Sequence, residues 1–199
     1  MFYITSFWKW LVVSMSERLA VLGLGRLGLC WALTLERAGY DVIGYDVDES
    51  RVTAINQKTL CSAEPEVENF LRHSQRFTAT QQLLSAIESS NPIFVCVRTS
   101  CLSSTHNDLE QLNALEQSLL ALSLPTPSEP KHLILHCNVP PGHSNRLQKN
   151  LHAAGYRVSY CPELVAQGQI LYDQANPSLV LLGVENETAG KQIQTIYER

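Results

Sequence analysis

Three glycines fall within one short segment, Gly23-Leu24-Gly25-Arg26-Leu27-Gly28. At this spacing the first permits a tight turn, the second lets backbone approach a ligand, and the third lets a helix pack closely on a strand. A helix opening there aims its unpaired N–H groups and positive dipole end at whatever sits over the glycines, which suits a pyrophosphate. Asp46 follows at about 20 residues, the separation at which an acid accepts hydrogen bonds from ribose hydroxyls. Its carboxylate repels a 2′-phosphate, and the next residues, Val47 and Asp48, bring no arginine to hold one. Together these features predict binding of NAD in preference to NADP, with Gly23, Gly25, Arg26, Leu27, Gly28 and Asp46 in the site. A glycine trio alone is a common packing turn; a preceding strand, a following helix and the acid give it chemical meaning.

The pattern supplies those positioning elements. Residues 19–23 form an apolar run ending in glycine, read as a buried strand. Residues 26–38 place Leu27, Cys30, Trp31, Leu33 and Leu35 at helical spacing and stop at Gly39, which suits the left-handed turn after a helix. Residues 41–46 read as a second strand, and 48–56 as a helix capped by Asp48 or Ser50. The alternation continues with an irregular stretch holding a short helix at 58–74, a weak strand at 77–80 and a helix at 81–89. A strongly strand-like run at 93–97 and a helix at 109–122 come next, before Pro125, Pro127 and Pro130 mark a surface linker. Strands at 132–136, 157–160 and 178–183 alternate with helices at 144–154 and 187–197 to the last residues. Strands alternating with helices of about 10–15 residues imply an α/β fold, a doubly wound parallel sheet of Rossmann type in one domain.

Composition narrows the function classes. A chain of 199 residues accommodates one sizeable α/β domain, and 45% hydrophobic with 17% charged residues is a globular balance. The net charge of −4, without a basic stripe, argues against a nucleic-acid partner. Neither the six cysteines (Cys30, Cys61, Cys96, Cys101, Cys137, Cys161) nor the six histidines show metal-ligand spacing, so no metal is expected. Reduced thiols and a cytoplasmic location are the simplest reading, with Cys30 and Cys96 as core residues. Residues 1–14, MFYITSFWKWLVVS, are apolar but shorter than the roughly 20 residues of a membrane helix. They lack the basic start and cleavage site of a signal peptide, so they read as an extension ahead of a domain beginning at Met15, with no membrane partner.

Further segments, taken in order, resemble the UDP-glucose/GDP-mannose dehydrogenase family of NAD-dependent nucleotide-sugar dehydrogenases. The run Val21 to Gly28 is similar to its Gly-Leu-Gly-Tyr-Val-Gly opening, and Gly44-Tyr45-Asp46-Val47-Asp48 with Val52 to Asn56 to its second strand and the helix running into Ile-Asn. Phe94 to Ser100 stands where the family has an apolar strand ending in Val-Pro-Thr-Pro. Val139-Pro140-Pro141-Gly142 matches its Val-Pro-Pro-Gly turn, and Cys161 to Gly168 its Asn-Pro-Glu-Phe-Leu-Arg-Glu-Gly, with Asp173 and a strand at 179–183 beyond. The likeness runs from about Leu19 to the end. It implies NAD as cofactor, Val97 and Thr99 at the cofactor site, and Glu163 as the acid that activates water or moves protons. It further implies a nucleotide sugar, a UDP-sugar, as substrate, oxidised at C6 to a carboxylate in two NAD-dependent steps through an enzyme-bound thioester.

The chain departs from the family at several of these positions. Asn138 stands at the family's threonine and Gln167 at its second glutamate, while Val97-Arg98-Thr99-Ser100 lacks both prolines. The family's nucleophilic cysteine, its lysine and its UDP-binding domain belong to a C-terminal half that this chain lacks, as does much of the surface of its homodimer. Two readings follow: the NAD-binding domain of a nucleotide-sugar 6-dehydrogenase, incomplete in this chain, or a degenerate stand-alone NAD- or nucleotide-binding module with a regulatory or interaction role. A β-hydroxyisobutyrate-type dehydrogenase is disfavoured, because such enzymes lack a Pro-Glu-Leu segment after a Val-Pro-Pro-Gly turn.

A deletion beginning at Met15 is expected to unfold at a temperature similar to that of the full chain. Thermal denaturation checks this, and a drop of many degrees would show that Phe7, Trp8 and Trp10 fill part of the core.

Overall fold

The computed structural model describes residues 17–103, 106–122 and 129–199. The extension at 1–14, the start at Met15, and Pro125 and Pro127 of the expected linker lie outside the described residues.

A Rossmann-type sheet of six parallel strands runs in the order β3-β2-β1-β4-β7-β8. The first half comprises β1 (Arg18–Leu22), α1 (Arg26–Arg37), β2 (Asp41–Tyr45), α2 (Glu49–Asn56), α3 (Val67–His73), β3 (Phe77–Thr80) and α4 (Leu83–Ile87). The chain then returns to the middle for β4 (Ile93–Val95), beside β1. After a small antiparallel pair, β5 (Ser100–Ser103) and β6 (His106–Asp108), it continues through α5 (Glu110–Ala121), β7 (Lys131–Leu135), α6 (His143–Leu151) and β8 (Tyr156–Tyr160). Two helices follow, α7 (Ile170–Ala175) and α8 (Glu187–Tyr197). The strand order reverses between β1 and β4, and in such sheets a crevice opens beyond the strand ends at that switch point.

Parallel strands need crossover connections, and the helices that make them cover both faces of the sheet. The central strand β4 and residues 19–22 of β1 are accordingly buried throughout, and the alternation along the strands sorts side chains between two cores. Leu19 and Val21 of β1 join Trp31, Leu35, Phe94, Ile134 and Ile193 on one face. Ala20 and Leu22 join Val95, Leu115, Leu135 and Leu151 on the other. Cys30 and Cys96 are buried on the first face, as small apolar residues would be.

Local signals set the element ends. Gly39 takes φ +92° just after α1, and its N–H donates to the Glu36 carbonyl at 2.8 Å. Asp48, rather than Ser50, caps α2 by accepting from the Arg51 N–H at 3.1 Å. The expected strand at 178–183 is not one: only Gly183 pairs, antiparallel, with Tyr160. Leu179 and Leu181 face solvent while Val180 and Leu182 lean on the core. The period-two pattern thus reports an extended, half-buried segment that lacks a continuous ladder. Neither the hairpin β5–β6 nor α7 is legible in the pattern, because elements this short show less than two periods.

Gly28 sets how closely α1 lies on the sheet. A Cβ there would overlap the Gly23 carbonyl oxygen and stand 2.9 Å from the Cys96 Cβ. Gly28→Ala should lower the unfolding free energy by about 1–3 kcal/mol, read as a reduced urea midpoint at unchanged m-value. Gly25→Ala, whose Cβ meets nothing within 4 Å, should change it by less than about 1 kcal/mol.

Candidate functional site

The glycine turn carries β1 into α1 directly beneath the crevice. Gly23 takes φ +93°, and a Cβ there would come 2.9 Å from the Cys96 carbonyl oxygen, so only glycine meets both constraints. Gly25 stands at the N-terminus of α1, which has no side-chain cap and no acidic residue in its first turn. The first N–H groups of a helix have no partner within it, so these present donors and partial positive charge to the open space over Gly25. That space and those donors fit a pyrophosphate.

Asp46, half-exposed just past β2, is tied to the same turn. Its Oδ2 accepts from the Leu24 N–H at 2.8 Å and its Oδ1 from the Asp48 N–H at 3.0 Å. A carboxylate has about four acceptor positions, so lone pairs remain for a ligand hydroxyl. Arg51, five residues further on, reaches the same corner and donates to the Leu24 carbonyl at 3.2 Å. Arg51 and Asp46 thus meet the same residue, Leu24, from its carbonyl and its N–H respectively. The position of Arg51 on the first turn of α2 was the available signal.

A cavity of about 1080 Å³ lies over the carboxyl ends of the strands. Its lining includes Gly23, Gly25, Arg26, Leu27 and Asp46 at one end and in the middle. Val97, Thr99, Asn138, Glu163 and Gln167 complete it. Gly28 lies below, between helix and strand. The volume exceeds the about 300–1,000 Å³ of typical small-molecule pockets, room for an extended ligand.

Glu163 caps no helix; its Oε1 makes a very short contact with Nε2 of the fully buried His136. Burial pushes the Glu163 carboxyl up to about 7, and the nearby Asp173 adds to the rise. The Gln174 side chain, as a hydrogen-bonding neighbour, acts in the opposite direction. Burial holds His136 down at about 3. The contact therefore joins a neutral imidazole to a carboxyl that is neutral below about pH 7 and ionised above it. Sequence reasoning does not single out His136, which stands in an apolar strand pattern one residue past β7.

Two further side chains bind the loop around Glu163 to the glycine turn. Arg26 Nη1 donates to Gln167 Oε1 at 2.9 Å, and its Nε lies 3.7 Å from Glu64 Oε1. The buried Glu64 in turn accepts from the Gly168 N–H at 2.8 Å. Of the two thiols just past β7 and β8, Cys137 lines the cavity. Cys161 is instead fully buried beneath it, 3.4 Å from the Tyr197 hydroxyl, in the core that α8 shares. Burial pushes Cys137 up to about 12 and Cys161 up to about 11. Neither presents a thiolate near neutral pH. Among the described residues no helix is long and apolar enough to cross a membrane.

Comparison with known proteins agrees with this geometry. A family model described as "UDP-glucose/GDP-mannose dehydrogenase family, NAD binding domain" matches residues 17–199. A UDP-N-acetyl-D-mannosamine dehydrogenase of Methanocaldococcus jannaschii is 27% identical over 183 residues, covering 92% of this chain and 42% of that protein. An uncharacterized protein of the same organism is 31% identical over 182 residues, 90% of this chain and 20% of its own length. The crystal structure of a ternary complex of GDP-mannose dehydrogenase from Pseudomonas aeruginosa superposes with a TM-score of 0.83 at 23% identity, a likeness of fold, over 92% of this chain and 44% of that one. The chain thus spans less than half the length of these relatives.

The acid and the open glycine are testable separately from the fold. Asp46→Ala should weaken NAD binding by about tenfold or more, the scale of a lost charged hydrogen bond, and erode the preference over NADP. Gly25→Ala, while keeping the fold, should weaken both cofactors alike by placing a methyl group over the helix end. Calorimetric titration of each variant with NAD and NADP checks both.

Proposed function

We propose that this chain, which belongs to the UDP-glucose/GDP-mannose dehydrogenase family and is its NAD-binding domain, serves as the cofactor half of a nucleotide-sugar 6-dehydrogenase. One observation carries the reading: a single cavity joins the glycine turn and Asp46 to Glu163 across the switch point between β1 and β4. In it, Gly23, Gly25, Arg26 and Leu27 would hold the pyrophosphate at the end of α1, with Gly28 keeping that helix close. Asp46 would accept from the adenosine ribose, and Val97 and Thr99 would border the nicotinamide half. Bound NAD supplies a hydride acceptor.

Glu163 is the residue suited to receive a proton there, since its carboxyl changes state near neutral pH. Asn138 offers an amide where the family has a hydroxyl, able to hold a water by hydrogen bonding. Gln167 cannot ionise and is engaged by Arg26. The substrate would be a nucleotide sugar, a UDP-sugar, oxidised at C6 to a carboxylate once a second half supplies the sugar contacts, a nucleophilic thiol and a homodimer surface. The domain would occupy 15–199, with 1–14 as an extension, in the cytoplasm.

A second reading, a stand-alone NAD- or nucleotide-binding module without turnover, is favoured by the state of the thiols and of Gln167. Cys137, the thiol on the cavity wall, is held protonated by burial, and Gln167 is engaged by Arg26.

Both readings predict that this chain by itself binds NAD without converting UDP-glucose or a related sugar to its uronate. Aldehyde capture as a thiohemiacetal needs a reactive thiolate, which this cavity does not present. The check is NADH absorbance with each candidate sugar in excess. Sustained turnover that vanishes in Cys137→Ser or Cys161→Ser would overturn it. Restored turnover on adding a family C-terminal half would favour the first reading over the second.

A further inference from the structure

The floor of the cleft holds a hydrogen-bonded chain that cofactor binding alone does not require. Nε2 of His136 meets two groups at once, the Glu163 Oε1 and the Tyr197 hydroxyl, the latter at 3.2 Å. Tyr197 lies in turn 3.4 Å from the Cys161 sulfur. The Trp31 ring stands edge-on to the imidazole at 4.6 Å between centroids, and Phe94 lies on it at 5.2 Å. His136 Nδ1 is buried with no partner. A buried N–H without an acceptor is among the rarest defects in native proteins, whereas a bare acceptor is better tolerated. The imidazole proton is therefore assigned to Nε2, which donates to Glu163, while Tyr197 donates to Cys161.

We propose that His136 is a positioning residue for the nicotinamide end of this cleft: its Nε2–H pins the Glu163 carboxyl as a fixed proton acceptor that makes the protein bind oxidised and reduced cofactor unequally, in a pH-dependent ratio. The proposal rests on the reading of Glu163 as the proton-handling acid at the nicotinamide end. The oxidised nicotinamide ring carries a positive charge that the reduced ring lacks. An ionised Glu163 on the cavity wall favours the oxidised form, and a neutral Glu163 removes that advantage.

The other titratable groups around Glu163 do not supply the same response. Cys96 beyond β4, Cys137 beyond β7, Cys161 beyond β8, Tyr197 of α8 and Cys30 of α1 are all pushed up by burial and stay neutral through this range. Asp173 of α7 opposes ionisation of Glu163, and its Oδ2 accepts from the Ala166 N–H at 2.8 Å. Arg26 is turned toward Gln167 and Glu64.

The sign follows from the raised Glu163. Below about 7 the carboxyl is neutral, and NAD+ binding draws off a proton; above it the charge is already present. Dissociation constants of NAD+ and NADH, measured by calorimetry from about pH 5.5 to about pH 8.5, should show the preference for NAD+ rising by about tenfold through a midpoint near 7. Glu163→Gln should bind both forms with a ratio independent of pH. His136→Phe keeps a ring but loses the donor, so the midpoint should move upward by about one pH unit, the scale of one charged hydrogen bond. His136→Gln retains a donor and should restore part of that shift.

Thermal unfolding confirms that each variant is folded. Should His136→Phe fail to fold, the His136→Gln midpoint decides: a value between those of the wild type and a fully shifted carboxyl supports the proposal, and one equal to the wild type overturns it. A pH-independent ratio in the wild type, or an unchanged midpoint in a folded His136→Phe, also overturns the proposal while leaving the cofactor reading intact. No binding of either cofactor at any pH would overturn both.

Discussion

Gly28 lies so near the carbonyl of Gly23 that no side-chain carbon fits between them, and this contact sets the height of α1 over the sheet. With the helix at that height, its uncapped end opens under the crevice and its apolar side, including Trp31 and Leu35, reaches the core beside β1 and β4. A helix standing further off would lose the alignment of its N–H groups with the ligand and leave a void below, since protein interiors tolerate few gaps larger than a water. The phosphate cradle and the core on that face thus depend on one close approach.

Around this fixed helix the two ends of the cleft are solvated differently. Asp46 sits half-exposed with two backbone N–H groups on its oxygens. Glu163 sits in a pocket walled by an imidazole, thiols and aromatic rings, where burial raises the cost of charge. One end suits hydrogen bonding to ligand hydroxyls, and the other suits proton exchange near neutral pH.

The loop that carries Glu163 is held from the glycine side. Arg26 reaches across to Gln167, and Glu64, from the segment before α3, takes the Gly168 N–H. Where the family places a tyrosine after the second glycine and a glutamate in the loop, this chain has an arginine and a glutamine that satisfy each other. The two departures thus meet in one contact that holds the loop.

The parallel sheet, most of its strands and helices, and the glycine turn with Asp46 at its spacing were legible in the sequence. Apolar runs between turn residues, helical spacing such as Leu27 to Leu35, and glycines at positive φ are local properties, written within a few residues of where they act. The tenor of Glu163 was available only by resemblance, and its partner not at all. His136 and Glu163 are separated by a whole strand and helix, and Tyr197 lies at the far end of the chain. Nothing in an apolar strand pattern distinguishes a histidine that fills the core from one that holds a carboxyl. The same applies to Arg51, absent from the residues next to Asp46 yet meeting the same Leu24 in the fold, and to the segment at 178–183, whose alternation is real but whose backbone meets a partner only at Gly183. Local geometry follows from neighbouring residues, whereas the protonation of a buried group depends on which distant side chains share its cavity, and that is decided by the packed fold.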